Sequence, residues 1–329
     1  MIRFGIAGFG LHAVRRLMPG FALAQNCQVV ALSRRDAVKA REASERYAIP
    51  YVFGSTEELC QSPDVDAVFV ATPNANHRAD VLTAVFKGKP VLCEKPMGMN
   101  AEECREMIEA ARRSGVLLGV AQIFRFEEST GRFRERVARG DVGSPVFARA
   151  EFSFPGLGHA RTWMSDRRIA GGGAIADVGV HCIDALRHIL QDEVVRVDAR
   201  TRTDENSGDV EASALMILEL SRGTLATVLV STRAHYRTPI EIVGHSGVLR
   251  ADDALNVDRP IRIEYWREGA LVEEETVSNH LAYARQVDAF AAAVEGHAEF
   301  PVPGEEGLKN QLVLDAAYRS AESGKSESV

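Results

Sequence analysis

Residues Ile2-Arg3-Phe4-Gly5-Ile6-Ala7-Gly8-Phe9-Gly10-Leu11-His12-Ala13 run from a strand pattern into a helix pattern through the spacing GxGxxA. Each small residue in that turn has a task. Gly8 permits the tight bend, Gly10 lets backbone approach a pyrophosphate, and Ala13 keeps the helix close to the strand. The first turn of the helix then offers unpaired N–H groups to phosphate. A lone glycine pattern of this kind is a weak signal. Following a strand and opening a helix at residue 8, it predicts a dinucleotide loop made of Gly8, Phe9, Gly10 and Leu11. His12 has two readings here, as a neighbour of phosphate or as a solvent-facing side chain.

The residues after the second strand bear on which dinucleotide fits. A loop that prefers NAD carries Asp or Glu about 20 residues on. This chain has Ser33, Arg34 and Arg35 there. A hydroxyl and guanidinium groups suit a 2′-phosphate, so NADP is expected over NAD. The other reading makes both arginines solvated residues at a helix start.

Outward from the loop, short β-branched runs alternate with helical patterns over the first 120 or so residues. Strands are predicted at Ile2–Ala7, Val29–Ser33, Tyr51–Phe53, Ala67–Ala71, Val91–Cys93 and Leu117–Val120. Alternation of this kind means parallel strands with right-handed crossovers, a doubly wound sheet. After residue 122 the rhythm changes. Two helices, near Gly131–Arg139 and Ala174–Leu190, precede seven strand-like runs between Val194 and Thr276 with few helices among them, which predicts an open, mostly antiparallel sheet. Two helices follow, near Leu281–Val294 and Glu305–Ala321, and the polar tail from Glu322 is expected to fray. The expected organisation is a dinucleotide-binding domain at 1–122 and a second α/β domain at 123–329, in keeping with 329 residues.

Composition excludes some classes. A net charge of −7 argues against a general nucleic-acid or membrane-surface binder. The arginines from Arg132 to Arg139 are interrupted by Glu135 and read as a solvated helix face. No signal peptide and no membrane-spanning run is read, and five scattered cysteines without a CxxC pair suggest reduced thiols, a cytoplasmic location and no structural metal.

Lysine is scarce: the chain has six, and Lys95 is the sole one between Lys89 and Lys309. It follows the apolar run Val91-Leu92-Cys93 within Glu94-Lys95-Pro96. Lysine can release a proton near neutral pH when its surroundings favour it, and arginine cannot. The fourth strand runs into Thr72-Pro73-Asn74, with His77 three residues on. Both turns fall at carboxyl ends of parallel strands, where open α/β sheets bind ligands. Thr72 and Pro73 would line the nicotinamide end, whereas Asn74 and His77 would cap the following helix or touch ribose. Further along, Gly171-Gly172-Gly173 opens a helix on which Asp177, His181, Asp184 and His188 share one stripe. A carboxylate four residues from a histidine can orient its ring, so Asp177 and His181 are candidates for chemistry, with an ordinary polar face as the alternative.

Four patterns occur in one order: GxGxxA, Ala71-Thr72-Pro73-Asn74-x-x-His77, Gly88-Lys89-Pro90-Val91-x-Cys93-Glu94-Lys95-Pro96, and Gly171-Gly172-Gly173-x-x-x-Asp177-x-Gly179-x-His181-x-x-Asp184. Together with Ile240–Gly247 and Ala317–Ala321 they resemble the Gfo/Idh/MocA oxidoreductases over nearly the whole chain. The resemblance implies an N-terminal Rossmann domain and a C-terminal α/β domain whose open sheet makes a homodimer or homotetramer. It also implies NAD(P)-linked oxidation of a hydroxyl, or reduction of a carbonyl, on a sugar, inositol or related diol. The residues it carries over are Lys95, Asp177 and His181, with Glu94 beside the cofactor. The chain departs from the commoner pattern at Glu127 and Glu128, at His245 and at Trp163-Met164. Arg125, Arg161, Trp163 and Tyr236 are candidate substrate-pocket residues, with core packing as their other reading. Two further activities fit such a fold: a glycosidase acting by transient oxidation with bound NAD, and a cofactor-sensing regulator.

Overall fold

Six strands carry the expected parallel sheet: Ile2–Ala7 (β1), Cys27–Ser33 (β2), Tyr51–Phe53 (β3), Ala67–Val70 (β4), Val91–Glu94 (β5) and Leu118–Ala121 (β6). In the computed structural model, which describes residues 1–156 and 162–329, they lie in the order β3-β2-β1-β4-β5-β6 with every pair parallel. β4, β5 and β6 are buried along their whole length, as strands covered on both faces must be. Their continuous apolar runs follow from that. The chain order reverses between β1 and β4, and the turns that leave these two strands meet there. A Cβ on Gly8 would come within 2.7 Å of the Thr72 backbone nitrogen, and Gly8 has φ +86°. Glycine is required on both counts.

By its contacts the chain forms two units, Met1–Gln122 with Tyr283–Lys309, and Ile123–Ala282 with Asn310–Val329. This differs from a single cut after residue 122. The segment 283–309 returns to the first unit because its aromatic residues complete that core: Phe290 packs on Phe4 at 6.0 Å and on Phe300 at 5.2 Å, and Pro303 bridges Gly119.

The second unit is built on nine strands: Pro145–Ser153 (β7), Val194–Arg202 (β8), Ser213–Leu220 (β9), Leu225–Ser231 (β10), Ile240–Gly244 (β11), Val248–Ala251 (β12), Pro260–Arg267 (β13), Ala270–Ser278 (β14) and Glu327–Ser328 (β15). They are ordered β14-β13-β12-β11-β7-β10-β9-β8-β15, and β7 with β10 is its parallel pair. Two elements differ from expectation. β7, which the strand-like runs did not include, sits in the middle of the sheet. Its Ala148 and Ala150 face inward while Phe147 and Arg149 face out, and alanine and arginine concealed the two-residue period. The tail does not fray, since Glu327 and Ser328 pair with Val197 and Arg196. Arg136 also departs from a solvated face. It is buried and pairs with Asp141, Glu273 and Glu275.

The helical stretch Arg167–Leu190 is long and apolar enough to cross a membrane by composition, contrary to the sequence reading, but 83% of that window is buried inside the protein. Its apolar surface is taken up by the core of the second unit.

Candidate active site

The glycine loop rests on the ends of β1 and β2. Gly8 and Phe9 both donate their N–H groups to the Ser33 carbonyl, at 3.2 and 3.0 Å. Phe9 is fully buried against Tyr47, so its side chain serves the core and its backbone alone lies in the loop. Arg34 turns back and donates to the Phe9 carbonyl at 3.0 Å. Ser33 is buried, while Arg35 is exposed. Asp36, the first acid after β2, caps the helix Ala37–Tyr47 through the Lys39 N–H. The space beside Gly10 is open, its nearest neighbour being the Gly8 carbonyl at 3.9 Å, and Leu11 is exposed at the helix start. This cradle, with a free approach at Gly10 and a helix N-terminus behind it, fits a dinucleotide pyrophosphate.

The turns after β4 and β5 are fastened to each other by His77. Its Nδ1 lies 2.9 Å from the Pro96 carbonyl and its Nε2 2.9 Å from the Thr72 carbonyl. Burial lowers the pKa of this ring, against the two carbonyls and the nearby Glu94 and Asp80. The neutral ring donates to one carbonyl at a time. His77 is therefore neither a helix cap nor a group facing ribose, because it is wholly buried with both nitrogens turned toward carbonyls. Pro73 holds the cap position of the helix Asn74–Phe86, and the Thr72 hydroxyl donates to Asp80 at 2.7 Å.

Glu94 ends β5 and is buried. Burial would raise its carboxyl, but the charge and hydrogen bond of His12, followed by Lys95, hold it below the usual carboxylate range. One oxygen meets His12 Nε2 at 2.8 Å. The other accepts the backbone N–H of Lys95 at 3.2 Å. Lys95 follows, joined to Pro96 by a cis peptide bond.

In the second unit, Asp177 lies on a single wide i→i+5 turn, Ile175–Gly179, which leads into the helix Val180–Leu190 that carries His181. Such wide turns collect at functional sites. The His181 ring lies between aromatic neighbours, 4.6 Å from Phe124 and 6.0 Å from Phe152, nearly parallel to the latter. Tyr236 extends the cluster at 6.4 Å from Phe152, and Trp163 is half-buried on the short helical turn Thr162–Ser165. Arg161 lies outside the described residues. Arg125 is not a pocket residue. Its guanidinium makes a two-pronged pair with buried Asp184 at 2.7–3.0 Å, and Asn310 and Arg187 complete the surroundings of that carboxylate. Asp184 is thus a core anchor.

Residues 2–122 match the oxidoreductase family with an NAD-binding Rossmann fold, and residues 131–250 match the GFO/IDH/MocA C-terminal domain. The chain belongs to the Gfo/Idh/MocA family. It is 30% identical over 331 residues to the 1,5-anhydro-D-fructose reductase of Ensifer adhaerens, covering 100% of this chain and 99% of that one. It is 32% identical over 323 residues to a D-xylose 1-dehydrogenase (NADP(+)) of Haloferax volcanii, covering 98% of each. The crystal structure of the aldose-aldose oxidoreductase of Caulobacter crescentus, complexed with glycerol, superposes with a TM-score of 0.91 at 28% identity, over 100% of this chain and 99% of that one. The protein is an NAD(P)-dependent oxidoreductase.

Within this Gfo/Idh/MocA chain, sequence reasoning overlooked two residues that shape the glycine-rich turn before Asp177. Buried Glu211 accepts N–H groups from Gly173 at 3.0 Å and Ile175 at 2.8 Å, and the Tyr318 hydroxyl at 3.0 Å. Glu211 falls just before the strand-like run that becomes β9, and an acid there gave no signal of a partner some 40 residues earlier. Tyr318 was quoted in a family motif without a role. Phe124 and Phe152, which flank the His181 ring, drew no reading from the sequence.

Proposed function

We propose that this protein is a dehydrogenase or reductase that prefers NADP and moves a hydride between nicotinamide and a hydroxyl-bearing or carbonyl carbon of a sugar, inositol or related diol. The observation that carries the reading is the set of turns at the carboxyl ends of β1, β4 and β5. There an open glycine cradle adjoins the Thr72 turn, and Lys95 follows a buried carboxylate bound to the same glycine loop. The named activities of the relatives, on anhydrofructose and xylose, support the substrate class.

Gly8, Gly10 and Leu11, with the Phe9 backbone, hold the pyrophosphate, and Thr72, Pro73 and Asn74 border the nicotinamide end. Bound nicotinamide supplies the hydride donor or acceptor. His181 takes the hydroxyl proton during oxidation and returns it during reduction. Lys95 donates a hydrogen bond to the same oxygen and stabilises the negative charge that grows there. Asp177 orients the imidazole or binds a neighbouring substrate hydroxyl. Trp163, Tyr236, Phe124 and Phe152 contact the carbon face of the substrate.

The preference for NADP rests on the end of β2. No carboxylate is available there for a ribose hydroxyl, Asp36 is spent on its helix cap, and Arg34 and Arg35 supply positive charge. Tighter binding of NADH than NADPH in a fluorescence titration would overturn it. The chemical role is tested with Lys95→Met. Turnover should fall about a hundredfold or more while NADPH affinity stays within about threefold. Near-normal turnover would refute the assignment.

The partner that fits this chain is a second copy of itself, docked on the open face of the nine-stranded sheet. Phe147, Leu215, Ile217 and Leu225 are all exposed there. Leu225 lies opposite Phe147 in register and Leu215 opposite Leu229. Five cysteines that form no disulfide support a reducing, cytoplasmic setting.

A further inference from the structure

His12 is the one residue of the glycine loop whose side chain is an acid or base, and the loop's binding task leaves it without a role. In the fold it has a definite partner. Its Nε2 lies 2.8 Å from Glu94 Oε1, across 82 residues of sequence. The His12 side chain is 28% exposed and that of Glu94 11%. The edge of its ring faces Tyr283, with centroids 6.2 Å apart. The second oxygen of the same carboxylate accepts the Lys95 N–H. One buried carboxylate therefore joins the loop that cradles phosphate to the backbone of the lysine. The other charged or titratable groups acting on Glu94 are Lys95 and His77, with Asp80 beside His77. His77 is committed to carbonyls.

We propose that His12 is a positioning residue: through Glu94 it ties the phosphate loop to the turn that presents Lys95, so that binding of the dinucleotide and placement of the amine depend on one side-chain pair. The inference rests on the cofactor reading and goes beyond it. Without His12, the buried carboxylate loses its strongest neighbour. It then turns to the Lys95 amine or takes up a proton, since a buried carboxylate without a partner is costly. Either change displaces the lysine and loosens the loop. Hydrogen bonds to a charged partner are strong enough for the effect to be measured.

The test uses His12→Ala, His12→Gln, Glu94→Gln and the double variant His12→Ala/Glu94→Gln in the full chain. His12→Ala should weaken NADPH binding about tenfold and lower kcat about tenfold, with the KM of the organic substrate little changed. His12→Gln places an amide nitrogen near the original Nε2 and should restore both values to within about threefold. A residue needed merely for packing would not be rescued in this way. In the ligand-free protein, the losses in thermal stability from His12→Ala and Glu94→Gln should fail to add in the double variant, as for groups in direct contact. His12→Ala with wild-type NADPH affinity and kcat, or additive stability losses, would overturn the inference. A wild-type protein that binds neither NADPH nor NADH would remove the cofactor reading instead, and the cycle in the ligand-free protein would still decide for or against the pair.

Discussion

Among single residues, Glu127 is a sequence anomaly with a consequence for stability. It departs from the family's usual pattern and is buried beside Ser129. Its other oxygen has no hydrogen-bond partner among the described residues. Burial pushes its carboxyl well above the usual range, with the Ser129 hydrogen bond opposing, so folding favours its protonated form. An acid whose folded pKa is raised contributes its full stability below the unfolded value, near pH 4.3, and loses it progressively as pH rises toward the folded value. Glu127→Gln should therefore gain stability over wild type as pH increases from about 4.5 to 8. Thermal unfolding across that range checks it, and a constant difference would contradict it. Arg125 shows how a sequence reading can mislead. Its residue type suggested a substrate contact, and buried Asp184 claimed it. Lys95 was marked in sequence by its rarity and its strand-end position, and the structure sets it directly after buried Glu94.

Among elements, the turn from Gly171 into the Val180–Leu190 helix carries the most information. Sequence spacing placed Asp177 and His181 on one plain helix. The structure inserts a wide turn at Ile175–Gly179 and anchors its start on Glu211. A Cβ on Gly173 would stand 1.9 Å from the Glu211 backbone carbonyl oxygen. No side-chain motion relieves a clash with backbone. Gly173→Ala should cost about 3 kcal/mol of stability, and in any folded fraction it should depress kcat more than it raises substrate KM, because the turn bearing Asp177 is displaced. Calorimetry with steady-state kinetics reads both effects, and an unchanged melting temperature would show that the turn is not held as described. β7 was illegible for a related reason: its inward positions are alanines, whose preferences favour helix, and its pairing with β10 and β11 outweighs that preference.

For the whole molecule, the open sheet face predicts assembly. Phe147 is 54% exposed at the centre of that sheet. Phe147→Glu would place a charge in the proposed contact between copies and should convert the oligomer to monomer in light scattering, leaving the fold intact by circular dichroism. An unchanged mass would exclude this face. By itself the sequence determined the parallel sheet, the glycine loop and the candidates Lys95, Asp177 and His181, because each is a local signal: a period, a turn that requires glycine, or a reactive side chain at a strand end. The tertiary structure alone decided the partners of those groups. That Glu94 answers His12 across 82 residues, that Asp184 takes Arg125, and that residues 283–309 complete the first core all depend on which distant surfaces meet when apolar area is buried. No spacing along the chain encodes that meeting.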